Sequence, residues 1–382
     1  MARGRFLLGA VLAVNALLPH AASAHGTPPE ITQVMLEAPR EALVATSRGI
    51  LFGDPSARAW SLVCSEAFGV PVGLGYRLAR VPSGRLYVAS LSGLSVSDDR
   101  GCSWRAHPQL GGRDLTYLHQ QADKPERLLL TVFGADGGVH ASDDAGENFR
   151  LLYRAADDEF MNTVLAAPGD PTRMYASLST TDEVSRLFVL RSRDGGASWQ
   201  RTEVALHEEP LDVGVLAVNP VNPDVLLLRV RYLSQWNQDT LLYSDDGGVS
   251  FVERGTFARV ADAAFSADGK TSFVIASDGL LRASVPPEAF TRVEVEDRLT
   301  YGQVFGGQVL MGGYRATDGK LGVNMWSARV ADPSAGLAHW MSFGEVTTLQ
   351  MCAAPSRLEA KCAVDWLDWS QEFLPETADD AR

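Results

Sequence analysis

The octet S-D-D-R-G-C-S-W spans Ser97–Trp104 and combines a serine, an aspartate, a glycine and a closing aromatic residue. The same spacing recurs in S-D-D-A-G-E-N-F (Ser142–Phe149), S-R-D-G-G-A-S-W (Ser192–Trp199) and S-D-D-G-G-V-S-F (Ser244–Phe251). All of these copies obey the pattern S-x-D-x-G-x-[SN]-[WF]. Such recurrence indicates internal repeats rather than one catalytic loop.

Each position of the octet has a role in a turn between two strands. The aspartate carboxylate accepts hydrogen bonds from nearby backbone N–H groups, and the serine hydroxyl does so more weakly. Glycine adopts backbone angles that other residues resist, and the aromatic ring buries apolar area against a neighbouring sheet. We therefore predict a structural, non-catalytic role for Ser97, Asp99, Gly101, Trp104, Ser142, Asp144, Gly146, Phe149, Ser192, Asp194, Gly196, Trp199, Ser244, Asp246, Gly248 and Phe251.

The spacing of the repeats predicts the fold. The closing aromatics of the four octets are 45, 50 and 52 residues apart, and weaker copies end at Trp60, Phe290 and Trp340. Between them lie short apolar segments bounded by Pro, Gly, Asp or Asn, which is typical of short strands joined by tight turns. A small sheet cannot bury both faces alone, so neighbours must stack. We predict an all-β, seven-bladed β-propeller of four-stranded antiparallel blades over residues 25–345.

The predicted blades span about 31–67, 74–108, 114–155, 160–206, 211–255, 259–295 and 300–344. Residues 346–382 do not form a full repeat, and we expect them to be a disulfide-pinned tail beside the last blade. An incomplete eighth blade is the alternative.

The first 24 residues have the features of a secretory signal peptide. Arg3 and Arg5 precede the apolar segment Phe6–Leu18, and a small-residue triplet ends at Ala24. We expect an exported protein, periplasmic or extracellular, that begins at His25. Because no later segment approaches 18 uninterrupted apolar residues, we expect no membrane insertion.

Composition narrows the classes of partner. The chain is 46% hydrophobic, with 35 Gly and 19 Pro, which indicates a turn-rich globular protein. Its formal net charge of −13 disfavours nucleic acid and anionic membrane surfaces as partners. We expect a monomer without a cofactor or a metal site.

Four cysteines, Cys64, Cys102, Cys352 and Cys362, follow the predicted signal peptide. An even number in an oxidising compartment indicates disulfides, and three pairings are possible. We favour Cys64 with Cys102 and Cys352 with Cys362, because each is then joined to its nearest neighbour in sequence. The absence of C-x-x-C in the sequence does not favour metal binding.

The octet resembles the Asp-box, or BNR repeat, of sialidase-like β-propellers, and the resemblance covers residues 31–345. The chain is similar in this respect to sialidases, xyloglucanase-type glycoside hydrolases, the sortilin ectodomain and photosystem II assembly-factor propellers. These families differ widely in function. The resemblance therefore implies the fold and leaves the activity open.

Propellers of this kind usually bind ligands on the axis, at the face where the fourth strand of one blade leads into the next blade, away from the octets. We call this the inter-blade face. Candidate binding residues at this face are Arg77, Asp114, Asn162, Asp212, Asp262 and Tyr301.

A sialidase would need three arginines, a tyrosine nucleophile paired with a glutamate, and an aspartate. The Y-R-L-A motif at Tyr76–Ala79 partly matches the F-R-I-P signature of that family and would make Arg77 the first arginine. Tyr301 and Tyr314 are candidate tyrosines, whereas the other roles have no match. A xyloglucanase-like cleft lies between two propellers, and this chain has length for one.

We therefore favour an exported, non-catalytic binding or assembly scaffold that recognises a protein or a glycan through loops on the axis. Tyr117, Phe160 and Trp236 are aromatic residues that suit a glycan. A sialidase-like glycoside hydrolase, an exo-alpha-sialidase, is the alternative.

Overall fold

The computed structural model is a ring of seven small antiparallel sheets, which confirms the predicted seven-bladed β-propeller. The structure describes residues 30–37, 41–54, 58–180, 185–205, 210–235, 237–295, 297–305, 307–317, 320–331, 333, 338–349, 352 and 358–363. The predicted signal peptide, Trp236 and the end of the predicted tail lie outside these residues.

Each blade is built from four consecutive strands. Blades 1 and 2 consist of Ile31–Glu37, Glu41–Thr46, Gly49–Asp54, Ala59–Cys64; and Tyr76–Arg80, Leu86–Ser90, Gly93–Ser97, Arg105–Ala106. Blades 3 and 4 consist of Asp114–Gln120, Leu128–Phe133, Gly138–Ser142, Arg150–Arg154; and Glu159–Ala167, Asp170–Thr180, Leu187–Ser192, Gln200–Glu203. Blades 5, 6 and 7 consist of Pro210–Val218, Leu226–Tyr232, Gln238–Ser244, Val252–Ala258; Val260–Phe265, Thr271–Ala276, Gly279–Ser284, Thr291–Val293; and Arg298–Phe305, Gln308–Thr317, Lys320–Arg329, Ala338–Ser342.

Short helical turns and one added strand complete the described chain. The turns are Ser65–Phe68, Leu233–Gln235 and Phe343–Glu345, and residues 358–363 are helical. The added strand is Val346–Leu349, which we call the latch strand.

Burial explains why the strands differ in sequence. The second strand of blade 3, L-L-L-T-V-F at Leu128–Phe133, is apolar and buried because neighbouring blades cover both of its faces. The fourth strands lie at the perimeter, where Arg150–Arg154 and Gln200–Glu203 are partly or fully exposed. Apolar clusters between adjacent sheets therefore hold the ring together.

The ring closes between blade 7 and blade 1. The first strands of adjacent blades contact one another around the ring, including Arg298–Phe305 with Ile31–Glu37. The latch strand then pairs in parallel with Ala59–Cys64 and makes blade 1 five-stranded. The alternative of an eighth blade is therefore wrong, and this part of the predicted tail forms a fifth strand on blade 1.

The two disulfides differ from the predicted pairs. Cys64 is bonded to Cys362 and Cys102 to Cys352, with Cα–Cα distances of 5.5 and 5.6 Å. The predicted pairing was wrong because Cys352 and the helical residues 358–363 pack against blades 1 and 2. Cys352 lies at the octet of blade 2, and Cys362 lies at the end of the fourth strand of blade 1. Two disulfides are consistent with an exported protein.

Each octet forms a turn between the third and fourth strands of its blade. In blade 4, the Ser192 hydroxyl donates to Asp194 Oδ1 at 2.8 Å and accepts from the Gly196 N–H at 2.8 Å. Ser198 donates to Asp194 through both its N–H, at 2.8 Å, and its hydroxyl, at 2.5 Å. These bonds, first of all the one from the Ser198 hydroxyl, lower the pKa of Asp194 to about 2.

The octet turns also contact the preceding blade. The Tyr87 hydroxyl of blade 2 donates to the Ala145 carbonyl of the blade 3 octet at 2.8 Å. Within blade 3, the Ala145 N–H donates at 3.0 Å to the Glu126 carbonyl, which lies in the turn between the first and second strands. These two kinds of turn therefore share one face of the ring, which we call the octet face.

Candidate ligand site in the central channel

A cavity of about 1390 Å³ lies on the axis of the ring. Every blade contributes residues of its first strand to the lining, so the cavity is the central channel of the propeller. The contributions in order of blades 1 to 7 include Gln33, Arg77, Tyr117, Leu165, Leu216, Asp262 and Tyr301.

The channel extends to the octet face. Its lining includes turns between the first and second strands, which contribute Pro82, Pro125, Pro168, Pro220 and Asp268. The inner end of the channel is formed near the starts of first strands, by Arg77, Asp262 and Tyr301 among others. Most of the lining therefore lies toward the octet face rather than at the inter-blade face on which we expected a ligand.

Three of the six candidate residues line the channel and three do not. Arg77, Asp262 and Tyr301 line it, whereas Asp114, Asn162 and Asp212 are absent from its lining. Asp114 is exposed at the beginning of its strand, and the Asn162 amide donates to the Ser179 hydroxyl at 3.4 Å.

Asp212 belongs to an ion-pair network inside blade 5. Its carboxylate accepts from Arg229 at 3.3 Å and from Arg231 at 3.4 Å. Arg231 also contacts the fully buried Asp239 at 3.1 Å. The two arginines balance the negative charge of Asp212, so this residue has a structural role within blade 5.

Asp262 is a carboxylate at the inner end of the channel. It accepts a hydrogen bond from the Ala263 N–H at 2.8 Å and makes no ion pair within the described part of the chain. Burial raises the pKa of Asp262 to about 6, and the positive charges of Arg77 and Arg229 oppose this rise. Asp262 is therefore a costly charge at neutral pH, near two arginines that do not bind it directly.

The two arginines near Asp262 have other partners. The Arg77 guanidinium lies 5.0 Å from the centre of the Tyr117 ring and donates to the Thr32 carbonyl at 3.2 Å. Arg229 is paired with Asp212 and also donates to the Val260 carbonyl at 3.2 Å.

The tyrosines at the inner end are poor nucleophiles. Burial and the nearby Asp262 raise the pKa of Tyr301, and its hydroxyl donates to Gln303. Burial also raises the pKa of Tyr117. A nucleophilic tyrosine needs its ionised form stabilised, and these surroundings favour the neutral form.

Sequence reasoning missed two glutamines in the channel wall. The Gln33 amide of blade 1 donates to the Leu78 carbonyl at 2.7 Å and accepts from the Leu78 N–H at 2.9 Å. Gln120 of blade 3 makes the same pair of bonds to Arg80, at 2.6 and 3.1 Å. These amides join the first strands of blades 1, 2 and 3. A glutamine within a mostly apolar strand is the sequence feature that could have identified them.

His119 is a further channel residue that the sequence did not single out. Burial lowers the pKa of His119 to about 4, so the ring is neutral at pH 7. Its Nε2 atom is buried without a hydrogen-bond partner among the described residues. His119 therefore adds polarity to the wall without adding charge.

Two further observations concern the described residues alone. They contain no group of three or more His, Cys, Asp or Glu side chains placed to hold a metal ion. They also contain no helix that is long and apolar enough to cross a membrane.

Comparison with known proteins supports the fold and nothing finer. No protein-family profile and no curated protein sequence matches the chain, so the resemblance to Asp-box, sialidase-like proteins has no family match behind it. Among solved structures, a puromycin-hydrolyzing peptidase of Mycobacterium tuberculosis is similar with a TM-score of 0.54 and 11% identity, over 85% of this chain and 54% of that one.

Two other solved propellers are similar to this chain. The GH74 enzyme of Niastella koreensis has a TM-score of 0.52 and 12% identity, over 81% of this chain and 58% of the enzyme. YCF48 from Cyanidioschyzon merolae has a TM-score of 0.50 and 12% identity, over 74% of this chain and 92% of that protein. The chain thus spans little more than half of the GH74 enzyme, and at these identities the likeness concerns the fold.

Replacing Asp262 by asparagine is expected to stabilise the protein above pH 6. The pKa of the Asp262 carboxyl group rises on folding from about 3.9 to about 6. Its contribution to the stability of the fold is therefore complete below about pH 3.9 and is lost as the pH rises through 6. We expect Asp262→Asn to exceed the wild type by about 2 kcal/mol at pH 8 and to match it near pH 3. Urea unfolding at both pH values measures this difference.

The matched control for this prediction is Asp268→Asn at the channel mouth. Hydrogen bonds from the Ser266 hydroxyl and the Lys270 N–H lower the pKa of Asp268, so its replacement should destabilise at pH 8. An Asp262→Asn variant no more stable than wild type at pH 8 would show that the charge of Asp262 is not costly.

Proposed function

We propose that the propeller is a non-catalytic binding scaffold that takes a protein segment or a glycan into its central channel. The observation that carries this proposal is a cavity of about 1390 Å³ lined by all seven blades. It is larger than the pockets of about 300–1,000 Å³ that hold small molecules. A short peptide or an oligosaccharide fits a cavity of this size.

The walls of the channel are suited to binding because they are tied together before a ligand arrives. Besides the glutamine contacts, the Thr116 hydroxyl of blade 3 donates to the Met161 carbonyl of blade 4 at 2.8 Å. The Thr300 hydroxyl of blade 7 donates to the Ile31 carbonyl of blade 1 at 3.2 Å. A rigid site loses little conformational entropy when it binds.

The chemistry of the lining favours binding over glycoside hydrolysis. Asp262 and Asp268 are the carboxylates among its described residues, and Asp268 is bonded to its own turn. Hydrolysis of a glycosidic bond generally uses a pair of carboxyl groups on either side of that bond. A sialidase would also need an activated tyrosine, whereas Tyr301 is held neutral. The arginines of the lining are Arg77, Arg80 and Arg282, of which Arg80 is paired with Glu41.

The proposal is tested by blocking the channel. Ala264 lines it, and we expect Ala264→Trp to abolish retention of the ligands found with a glycan array and with affinity capture from an envelope fraction. Val252→Trp, at an exposed position on the outermost strand of blade 5, is the matched control and should retain them.

Three outcomes would count against the proposal. Retention unaffected by Ala264→Trp would place binding elsewhere, and failure of both screens would leave the channel without a ligand. Hydrolysis of a fluorogenic sialoside by the wild type, lost in Arg77→Ala, would support the sialidase alternative instead.

A further inference from the structure

We propose that the inner end of the channel recognises an α-aminoacyl group, as found at the amino terminus of a peptide or in a free amino acid. Its ammonium group would bind Asp262, and its carbonyl or carboxylate oxygen would bind Arg77. This inference rests on the proposed binding function and specifies the chemistry of its ligand.

The first argument is the unsatisfied charge of Asp262. The carboxylate accepts one backbone hydrogen bond, and within the described part of the chain it has no cationic partner at ion-pair distance. A carboxylate withdrawn from water without a partner is costly, whereas one that is paired and hydrogen-bonded is tolerated. An ammonium group that enters the channel supplies the missing partner.

The second argument is that Arg77 is held near Asp262 without neutralising it. The contacts with the Thr32 carbonyl and the Tyr117 ring fix the guanidinium, and they leave further N–H donors for a ligand. Arg229 is committed to Asp212, so it does not compensate Asp262 either. Arg77 of blade 2 and Asp262 of blade 6 thus bring opposite charges to the wall of the same channel without pairing directly.

A dipolar ligand satisfies both groups at once. A purely anionic ligand would leave Asp262 unpaired. A simple cation would be repelled by Arg77 and would offer no acceptor for the N–H groups of Arg77. An α-aminoacyl group carries its ammonium next to an oxygen acceptor, so the two can bind Asp262 and Arg77 together. His119, also in the lining, is neutral and does not change this balance.

The outer part of the channel suits the body of a peptide. Prolines from the turns of four successive blades line the mouth, at Pro82, Pro125, Pro168 and Pro220. Prolines form a rigid, largely apolar rim that offers no backbone N–H donors to sugar hydroxyls. The volume of about 1390 Å³ also exceeds what one amino acid fills, which favours a peptide terminus over a free amino acid.

Titration calorimetry with four small probes tests the inference: trialanine, N-acetyl-trialanine, trialanine amide and free alanine. We expect trialanine and its amide to bind equally, and acetylation to weaken binding by about ten- to a hundredfold, since it removes a charge-assisted bond. Alanine that binds as tightly as trialanine would identify a free amino acid as the source of the group.

Variants locate the ammonium on Asp262. Asp262→Asn should weaken trialanine binding by a similar factor, and acetylation should then have no further effect. Asp278→Asn, which removes an exposed carboxylate of the same blade paired with Arg292, should bind like the wild type. Because Asp262→Asn is expected to be at least as stable as the wild type, misfolding would not mimic the loss.

Equal binding of free and acetylated trialanine, or full binding by Asp262→Asn, would overturn the inference. Channel-dependent binding of an oligosaccharide with no peptide binding would overturn it and leave the proposed scaffold function standing. If no probe binds and channel blocking has no effect in the screens, both proposals fail.

Discussion

Replacing Cys64 and Cys362 by alanine should lower the free energy of unfolding by about 5 kcal/mol and the melting temperature by about 5–10 °C. The bond joins residues 298 positions apart, so its loss frees a very long loop in the unfolded chain. Both cysteines are fully buried, in an apolar cluster with Leu358. We choose alanine instead of serine because a serine hydroxyl would be buried in this apolar cluster without a hydrogen-bond partner.

Calorimetry and urea unfolding of the oxidised proteins measure this loss, with Cys102→Ala/Cys352→Ala as the matched variant. Its loop of 250 residues is similar, but Cys102 and Cys352 are only partly buried, so less packing is lost. Peptide mapping without reduction should show the 64–362 and 102–352 links. An unchanged melting temperature after removal of either bond would contradict the assigned role.

The second large effect is expected for Gly146→Ala in the octet of blade 3. Gly146 has φ +85°, and a Cβ atom there would lie 2.4 Å from the buried ring of Tyr87. The Tyr87 hydroxyl is bonded to Ala145, so the ring cannot move aside without losing that contact. The left-handed backbone and the overpacking together should lower the free energy of unfolding by about 3 kcal/mol.

Gly169→Ala separates these two causes. Gly169 has φ +75°, but a Cβ atom there would meet nothing within 4 Å, so the variant reports backbone strain alone, about 1 kcal/mol. Urea unfolding of both variants gives the difference. Equal losses of unfolding free energy in the two variants would contradict the close contact between the octet of blade 3 and Tyr87 of blade 2.

The fold was readable from the sequence because the octets repeat. The closing residues Trp104, Phe149 and Trp199 each end one repeat, and the number of apolar segments between them predicts the number of strands in a blade. The disulfides were not readable in the same way. Nothing in the local sequence of Cys352 or Cys362 shows that the chain passes from blade 7 to blades 1 and 2, and nearest-neighbour pairing fails once a chain closes into a ring.

The site was only partly predictable, because strand alternation alone does not decide which side chains face the axis. The first strands of blades 6 and 7 shift register between Val260 and Asp262 and between Leu299 and Tyr301. Such bulges redirect the side chains that follow them. A similar shift lies beside Asp212, which pairs within its own blade while Asp262 and Tyr301 reach the channel.

The latch strand also bears on how the protein is made. Ribosomes produce the blades in order, and the residues that fasten blade 1 are delivered after all seven. Blades that folded in this order would form an open arc until then, and the apolar faces of its two end sheets would be exposed. The 64–362 and 102–352 disulfides can form only after the latch strand has been synthesised, so we expect them to be late bonds in folding.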